Sequence, residues 1–222
     1  DGMQYGAVLA AHLEGRRWVG LSSALTLLEP TEIDTALMRN VRALADDRRA
    51  LFAAHGLAAE FRTCEVLSPE LNLVFATEEL VGREARLPPA TRLVGPALPP
   101  GPRGDEPPFP WEHLATDRPI VYVSYGSQIS WQPEAFAAVA EAAAPLGAQV
   151  VISAGDLART GFARSLTGDV LLVEYVPQLQ LLPRAAVFVS HGGANSVMEA
   201  LALGVPLVLL PVCNDQFVQA HF

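Results

Sequence analysis

The stretch VFVSHGGANSVMEALALGVPLVLLP, residues 187–211, contains a strand, a glycine-rich loop, a helix and a second strand in one run. Val187–Ser190 is a short apolar run typical of a buried strand, and His191–Ser196 forms the loop. Ser196–Leu203 has helical periodicity, and Val205–Leu210 is again apolar and β-branched. This succession predicts a βαβ unit, in which the two strands lie parallel in one sheet.

The same alternation extends toward the amino terminus. Further strands are predicted at Trp18–Leu21, Leu71–Ala76, Thr91–Val94, Ile120–Ser124, Gln149–Ser153 and Val170–Val176. Helices are predicted at Gly6–Leu13, Ile33–His55, Pro133–Ala144 and Pro177–Leu182, and from Asp215 onward. Strands that alternate with helices in this way predict an α/β fold with a doubly wound parallel sheet.

A proline-rich segment divides the chain. Residues 95–110 include seven prolines and three glycines among sixteen residues, a composition that neither a sheet nor a helix accommodates. We therefore predict one domain over residues 1–95, a linker over residues 96–117 and a second domain over residues 118–222.

Composition excludes several classes of protein. The chain of 222 residues has a net charge of -9 and no lysine, which argues against binding of nucleic acid. Cys64 and Cys213 lie far apart and form no CxxC pair, so neither zinc nor a disulfide framework is supported, and a cytoplasmic location is expected. The most apolar stretch, Ala200–Cys213, is too short for a membrane span. Abundant alanine and arginine suggest a bacterial source.

Polar segments follow the predicted strands of the second domain at the edge where α/β sheets bind ligands. The segment His191–Ser196 joins a strand to a helix, and its two adjacent glycines let the backbone approach a bulky ligand. A helix start presents free N–H groups and a partial positive charge, which suit a phosphate. The alternative is a plain capping box, with Ser196 as N-cap and Glu199 turned back toward it.

Other nucleotide and hydrolase motifs are absent from the sequence. There is no Gly-x-Ser-x-Gly, no GxGxxG and no GxxxxGK[ST], so esterases, dinucleotide oxidoreductases and P-loop kinases lack their defining loops. No DxD motif is present either, and we expect no metal and no cofactor.

Beyond the single loop, a longer pattern resembles the donor signature of the UDP-glycosyltransferase family (glycosyltransferase family 1), above all its bacterial macrolide and natural-product branch. The residues that carry the resemblance are Val173–Gln178, Leu181–Pro183, Phe188–Ser196, Glu199–Ala200, Gly204–Pro206, Pro211 and Asp215–Gln216, with Tyr122–Ser127 and Val94–Pro96 upstream. The resemblance implies the GT-B fold, which has two Rossmann-like domains with parallel sheets, both incomplete in this chain.

The same resemblance implies an inverting glycosyltransferase that moves a sugar from a UDP- or dTDP-sugar to a hydroxyl of a small molecule. Its implied donor site has four parts: nucleobase (Tyr175, Val176, Gln178), diphosphate (Ser127, His191, Gly193, Asn195, Ser196), ribose (Glu199) and donor sugar (Asp215, Gln216). The alternative for Asp215 is an ordinary helix N-cap.

The family's catalytic base is a histidine near the amino terminus, oriented by an aspartate. His12 and His55 do not match that histidine, whereas Asp1 resembles its aspartate partner. Both ends of the chain look like cuts, so we expect the chain alone to be inactive. Two alternatives remain: a module that binds a nucleotide sugar without catalysis, and a sugar-nucleotide epimerase or lipid-intermediate glycosyltransferase of the same fold.

Overall fold

The computed structural model describes residues 2–28, 33–82, 85–99, 101, 104 and 106–222. These residues form two compact units: one contains the chain up to Ala97 together with Val212–Phe222, and the other contains Leu98–Pro211. Each unit is built on a parallel sheet, which confirms the predicted α/β class. The structure groups residues 212–222 with the first unit, whereas the division predicted from composition assigns them to the second domain. That predicted division into domains stays a prediction.

The first unit contains a three-stranded parallel sheet, in which Leu71–Val74 lies between Val19–Ser22 and Thr91–Leu93, with short helices around it. Its elements are α1 (Tyr5–Leu13), β1 (Val19–Ser22), α2 (Ala36–Ala43), α3 (Ala45–Ala53), β2 (Phe61–Arg62), β3 (Glu65–Val66), β4 (Leu71–Val74), α4 (Glu78–Val81), β5 (Thr91–Leu93) and the last helix, Gln216–His221. Val218 of that last helix lies in the same core cluster as Leu25, Met38 and Val74, which explains why packing groups the chain end with this unit.

The helix predicted over Ile33–His55 is two helices, α2 and α3, separated at Leu44. The first starts after Thr35, whose side-chain oxygen accepts a hydrogen bond from the Met38 N–H at 3.2 Å. The second begins with Asp46 and Asp47 in its first turn, where carboxylates interact favourably with the helix dipole. Two separate helix starts inside one amphipathic pattern therefore account for the break.

The second unit contains five parallel strands, which lie side by side in the order Leu207–Leu209, Val187–Ser190, Ile120–Ser124, Gln149–Ser153 and Asp169–Val173. Its elements are β6 (Ile120–Ser124), α5 (Pro133–Ala143), β7 (Gln149–Ser153), β8 (Asp169–Val173), α6 (Gln178–Leu181), β9 (Val187–Ser190), α7 (Ala194–Ala202) and β10 (Leu207–Leu209); the last helix of the chain is α8. The order places β6 and β9 side by side in the middle of the sheet, so the loops that follow them are neighbours.

Alternate residues of the central strands pack on opposite faces of this sheet. Tyr122 and Phe188 belong to a core cluster on one face, while Val123 and Val189 belong to the cluster on the other. Burial on both faces explains why these strands read as continuous apolar runs. None of the helices in the described residues is long and apolar enough to cross a membrane, and α5, for example, has eleven residues.

A two-stranded hairpin, β2 and β3, was not predicted from the sequence, and it brings a carboxyl group into the first unit. Glu65 is 4 % exposed, and its carboxyl accepts hydrogen bonds from the hydroxyls of Ser22, at 2.7 Å, and Thr26. Burial raises the pKa of Glu65, although the two hydroxyl donors act in the opposite direction.

The wild type is expected to lose stability as the pH rises above about 4.5, the ordinary pKa of a glutamate side chain. The substitution Glu65→Gln is expected to abolish this loss. Because the pKa of Glu65 is raised in the folded chain, the folded chain keeps this proton at pH values where the unfolded chain has lost it. The free energy of unfolding then decreases with pH until the folded-state pKa is passed. Glutamine carries no such proton, yet its amide oxygen still accepts both hydroxyl hydrogen bonds.

The measurement is the melting temperature by circular dichroism between about pH 4 and pH 8. The control is Glu14→Gln, which changes an exposed glutamate of the same unit and should follow the wild-type profile. Parallel profiles for the wild type and Glu65→Gln would contradict the prediction.

Candidate functional site

Two turns of the same design lie next to each other at the carboxyl ends of β6 and β9. Ser124 and Ser190 end these strands and are partners in the parallel register. Each serine hydroxyl accepts a hydrogen bond at 3.2 Å from the N–H two residues later, Gly126 in one turn and Gly192 in the other. Both glycines have positive φ, +71° and +86°, a conformation that favours glycine. The chain therefore turns sharply and in parallel at both strand ends.

The His191 ring lies between two glycines. A Cβ on Gly126 would lie 3.0 Å from Nε2 and Cε1 of this ring, and a Cβ on Gly193 would lie 2.5 Å from Nε2. The histidine is 9 % exposed, and the Tyr125 ring lies beside it at a centroid distance of 6.4 Å. The imidazole thus occupies its place because both neighbouring positions lack a side chain.

Helix α7 starts three residues after this histidine. Gly193 occupies the N-cap position, with no side-chain capping bond, and Ala194 is the first helical residue. Ser196 is therefore inside the first turn, and the alternative reading of Ser196 as the N-cap of a capping box is wrong. The first N–H groups of an α-helix have no acceptor within the helix, so this turn presents donors and partial positive charge at the sheet edge.

A second group of polar side chains is centred on Gln178, at the start of α6. The Gln178 Nε2 donates to the Glu199 Oε2 at 2.6 Å and to the Ser196 hydroxyl at 3.3 Å. On its other side, the Gln178 Oε1 accepts a hydrogen bond from the Tyr122 hydroxyl at 3.0 Å. The structure thus brings together three predicted residues from two helices, along with one tyrosine that the sequence analysis did not assign.

The other predicted residues of this unit lie after β6, between β8 and α6, and at the start of α7. Ser127 and Asn195 are exposed, Tyr175 is half-buried, and the Val176 side chain is buried in the core. Val176 can therefore offer a ligand its backbone rather than its side chain. Within the described residues, no group of three or more His, Cys, Asp or Glu side chains is arranged to hold a metal.

The predicted sugar-binding pair belongs to the first unit, before and at the start of α8. Gln216 is 6 % exposed, and its Oε1 accepts hydrogen bonds from the N–H groups of Val212, at 2.8 Å, and Cys213, at 3.0 Å. This amide therefore holds the preceding loop in place. Asp215 is at the N-cap position of α8 and makes no side-chain capping hydrogen bond. Asp1, the predicted partner of the catalytic base, lies outside the described residues.

The sequence analysis included Tyr122, Ser124, Gly126 and Ser190 in the family resemblance but assigned no role to any of them. A signal for them exists: VYVSYG at residues 121–126 and VFVSHG at residues 187–192 share one pattern of valine, aromatic, valine, serine, ring and glycine. The repetition corresponds to the paired turns and to the stacked rings of Tyr122 and Phe188, whose centroids are 4.5 Å apart.

A doubly wound parallel sheet with a glycine-rich turn before a helix is an architecture that binds the phosphates of nucleotides. The fold and the turns thus define the second unit as a doubly wound α/β domain, a class in which nucleotides bind at this edge of the sheet. Residues 107–221, just over half of the chain, match the family model described as UDP-glucoronosyl and UDP-glucosyl transferase. The chain belongs to this family of glycosyltransferases, as its sequence predicted.

Curated relatives agree with this assignment. An uncharacterized UDP-glucosyltransferase, YdhE, of Bacillus subtilis is 32 % identical over 66 % of this chain and 36 % of its own length. The 4'-demethylrebeccamycin synthase of Lentzea aerocolonigenes is 28 % identical over 82 % of this chain and 43 % of its own length. The chain therefore spans less than half the length of these two relatives.

The chain is also similar in fold to solved structures of glycosyltransferases. The glycotransferase of kitacinnamycin is 26 % identical, with a TM-score of 0.73 over 98 % of this chain and 57 % of that one. The calicheamicin glycosyltransferase CalG4 is 23 % identical, with a TM-score of 0.68 over 96 % of this chain and 55 % of that one. These neighbours confirm the predicted GT-B fold.

Proposed function

We propose that this chain carries the donor site of an inverting glycosyltransferase, which moves a sugar from a UDP- or dTDP-sugar to a hydroxyl of a small molecule. The observation that carries the proposal is the placement of the His191 ring between Gly126 and Gly193, close to the start of α7. An imidazole N–H and the free N–H groups of a helix start are donors that suit a diphosphate.

The diphosphate is held at this helix start by His191, Asn195 and Ser196, with Ser127 on the neighbouring loop. Asn195 and Ser127 are exposed, so their side chains are accessible to a ligand. The chain has no lysine, and the helix N-terminus supplies the positive field that a metal or an ammonium supplies elsewhere. Metal independence is part of this proposal.

The nucleoside is held by the loop that leads into α6 and by α7. Tyr175, Val176 and Gln178 receive the nucleobase, and Glu199 accepts hydrogen bonds from the ribose hydroxyls. Gln178 binds only one oxygen of the Glu199 carboxylate; within the described part of the chain, Oε1 accepts no protein hydrogen bond. A half-buried carboxylate with one oxygen held by an amide retains acceptor capacity on the other, which suits the hydroxyls of a ribose. Asp215 and Gln216 contact the donor sugar.

In the reaction, a bond forms between the acceptor oxygen and the anomeric carbon as the bond from that carbon to the diphosphate oxygen breaks. The electron pair of the broken bond leaves with the diphosphate, where the donors at the start of α7 stabilise it. The proton of the acceptor hydroxyl passes to a histidine base, for which Asp1 is the proposed orienting partner. The described residues thus serve the leaving group.

Names of relatives support a small-molecule acceptor. The Lentzea relative is named for demethylrebeccamycin, and a relative in Streptomyces fradiae, 35 % identical over 46 % of this chain and 22 % of its own length, is a demethyllactenocin mycarosyltransferase. We propose an acceptor that is likewise a natural product. The cytoplasmic location expected from cysteine usage remains part of the proposal.

Calorimetric titration of the chain with UDP and with dTDP, in Mg²⁺ and in EDTA, tests the donor site. We expect binding of at least one of these nucleotides with equal affinity in both buffers, and its loss in His191→Ala. The matched control is His55→Ala, which removes an exposed imidazole and should bind as the wild type does. A folded wild type that binds neither nucleotide would overturn the proposal, and binding only in Mg²⁺ would overturn metal independence.

A further inference from the structure

Tyr122 places a hydroxyl group at the floor of the proposed nucleoside site. The residue is on β6 and is 1 % exposed, with its hydroxyl donating to the Gln178 Oε1 at 3.0 Å. Burial raises the pKa of this phenol, so it stays protonated and remains a donor under physiological conditions. This hydroxyl has no part in the donor-binding roles assigned above.

The hydroxyl fixes which way the Gln178 amide faces. A carboxamide has an acceptor side and a donor side, and with the oxygen directed to Tyr122, the nitrogen is directed to Glu199 and Ser196. The Tyr122 ring cannot easily move, because it stacks on Phe188 with an angle of 12° between the ring planes. The immobile ring therefore sets the orientation of the amide.

The amide in turn fixes the Glu199 carboxylate. The bond from the Gln178 Nε2 to the Glu199 Oε2, 2.6 Å long, joins the start of α6 to the second turn of α7. Without the tyrosine hydroxyl, the buried end of the Gln178 amide loses its donor, and the side chain can rotate away from Glu199. The carboxylate then loses the contact that holds Oε2.

We propose that Tyr122 is a positioning residue for ribose selectivity: through Gln178, it holds Glu199 in the orientation that accepts hydrogen bonds from the ribose hydroxyls. The inference rests on the proposed function, since it requires a nucleotide in this site. Tyr122 acts through Glu199 and touches no substrate.

The test compares UDP with 2'-deoxy-UDP by calorimetry on the whole chain. The wild type is expected to bind UDP about 10-fold more tightly, because the deoxy compound leaves a carboxylate oxygen without its donor. In Tyr122→Phe, this ratio is expected to fall to about 2 or less, since a loosely held carboxylate no longer distinguishes the two ligands. The ratio is the informative quantity, because a general loss of stability weakens both ligands alike.

Two further variants complete the design. Tyr125→Phe removes another buried tyrosine hydroxyl near the same strand end, outside the Gln178 network, and should keep the wild-type ratio. Glu199→Ala should lower the ratio by itself, and adding Tyr122→Phe to it should change nothing further. An additional fall in the double variant would overturn the inference, because Tyr122 would then act on the ligand by another route.

The outcomes separate the two proposals. A wild type that prefers UDP, with a Tyr122→Phe variant that prefers it equally, overturns the inference and leaves the donor site standing. A wild type that binds none of UDP, 2'-deoxy-UDP and dTDP overturns the proposed function and the inference together, whereas one that binds dTDP but not UDP overturns the inference alone. Equal binding of UDP and 2'-deoxy-UDP by the wild type would mean that Glu199 does not recognise the ribose, and this result would also overturn the inference.

Discussion

Gly193→Ala is expected to weaken UDP binding by at least about 100-fold, because it displaces the imidazole of His191 and adds a methyl group at the proposed diphosphate site. A Cβ at this position would lie 2.5 Å from the His191 Nε2 and 2.9 Å from its Cε1. Side-chain atoms do not approach so closely, so the ring must leave its place. The backbone itself accepts alanine, since φ is -63° at Gly193.

The measurement is the dissociation constant for UDP, together with a circular dichroism spectrum that shows that the variant folds. Gly6→Ala is the matched control: it adds the same methyl group in α1, where a Cβ meets nothing within 4 Å. That control should bind UDP as the wild type does. Wild-type affinity in a folded Gly193→Ala variant would mean that neither the His191 position nor close approach of the ligand matters.

Phe188→Ala is expected to lower the free energy of unfolding of the second unit by about 3–5 kcal/mol, the usual range for a phenylalanine truncated in a core. Phe188 is 0 % exposed in the middle of β9, between β6 and β10. Its removal leaves a cavity beside Tyr122 and takes away a stacked ring pair. The loss is large relative to the stability of an ordinary domain.

Two units can unfold separately, so the measurement needs a probe within one of them. Urea denaturation followed by tryptophan fluorescence in a Trp18→Phe background provides it, because Trp111 and Trp131 then remain and both belong to the second unit. Leu146→Ala, at a leucine that is 74 % exposed, is the control and should change the free energy by less than about 0.5 kcal/mol. An equal, small effect of both variants would show that the aromatic pair is not part of a tightly packed core.

Local patterns were sufficient for much of the second unit. The predicted strands Ile120–Ser124, Gln149–Ser153 and Val187–Ser190 have the bounds of β6, β7 and β9. Apolar, mostly β-branched runs that end at a polar or small residue carry this information within a few neighbouring positions. The motif that follows β9 also indicated the family, which the family match over residues 107–221 confirms.

Other features were outside the reach of local patterns. The helix predicted from Ser196 begins at Ala194, since nothing in the sequence distinguishes a serine that caps a helix from one in its first turn. The break at Leu44 and the hairpin of β2 and β3 were likewise missed; short strands and closely spaced helix starts leave little periodic signal.

The sequence by itself determined the α/β class, the central strands and the family signature around the loop after β9, because each depends on residues that are near one another along the chain. The tertiary structure alone decided the strand order, the placement of His191 between Gly126 and Gly193, and the link from Tyr122 to Gln178. The last of these joins residues 56 positions apart. Such contacts depend on which strands become neighbours and which hydroxyls are buried, and no local pattern of residues encodes either property.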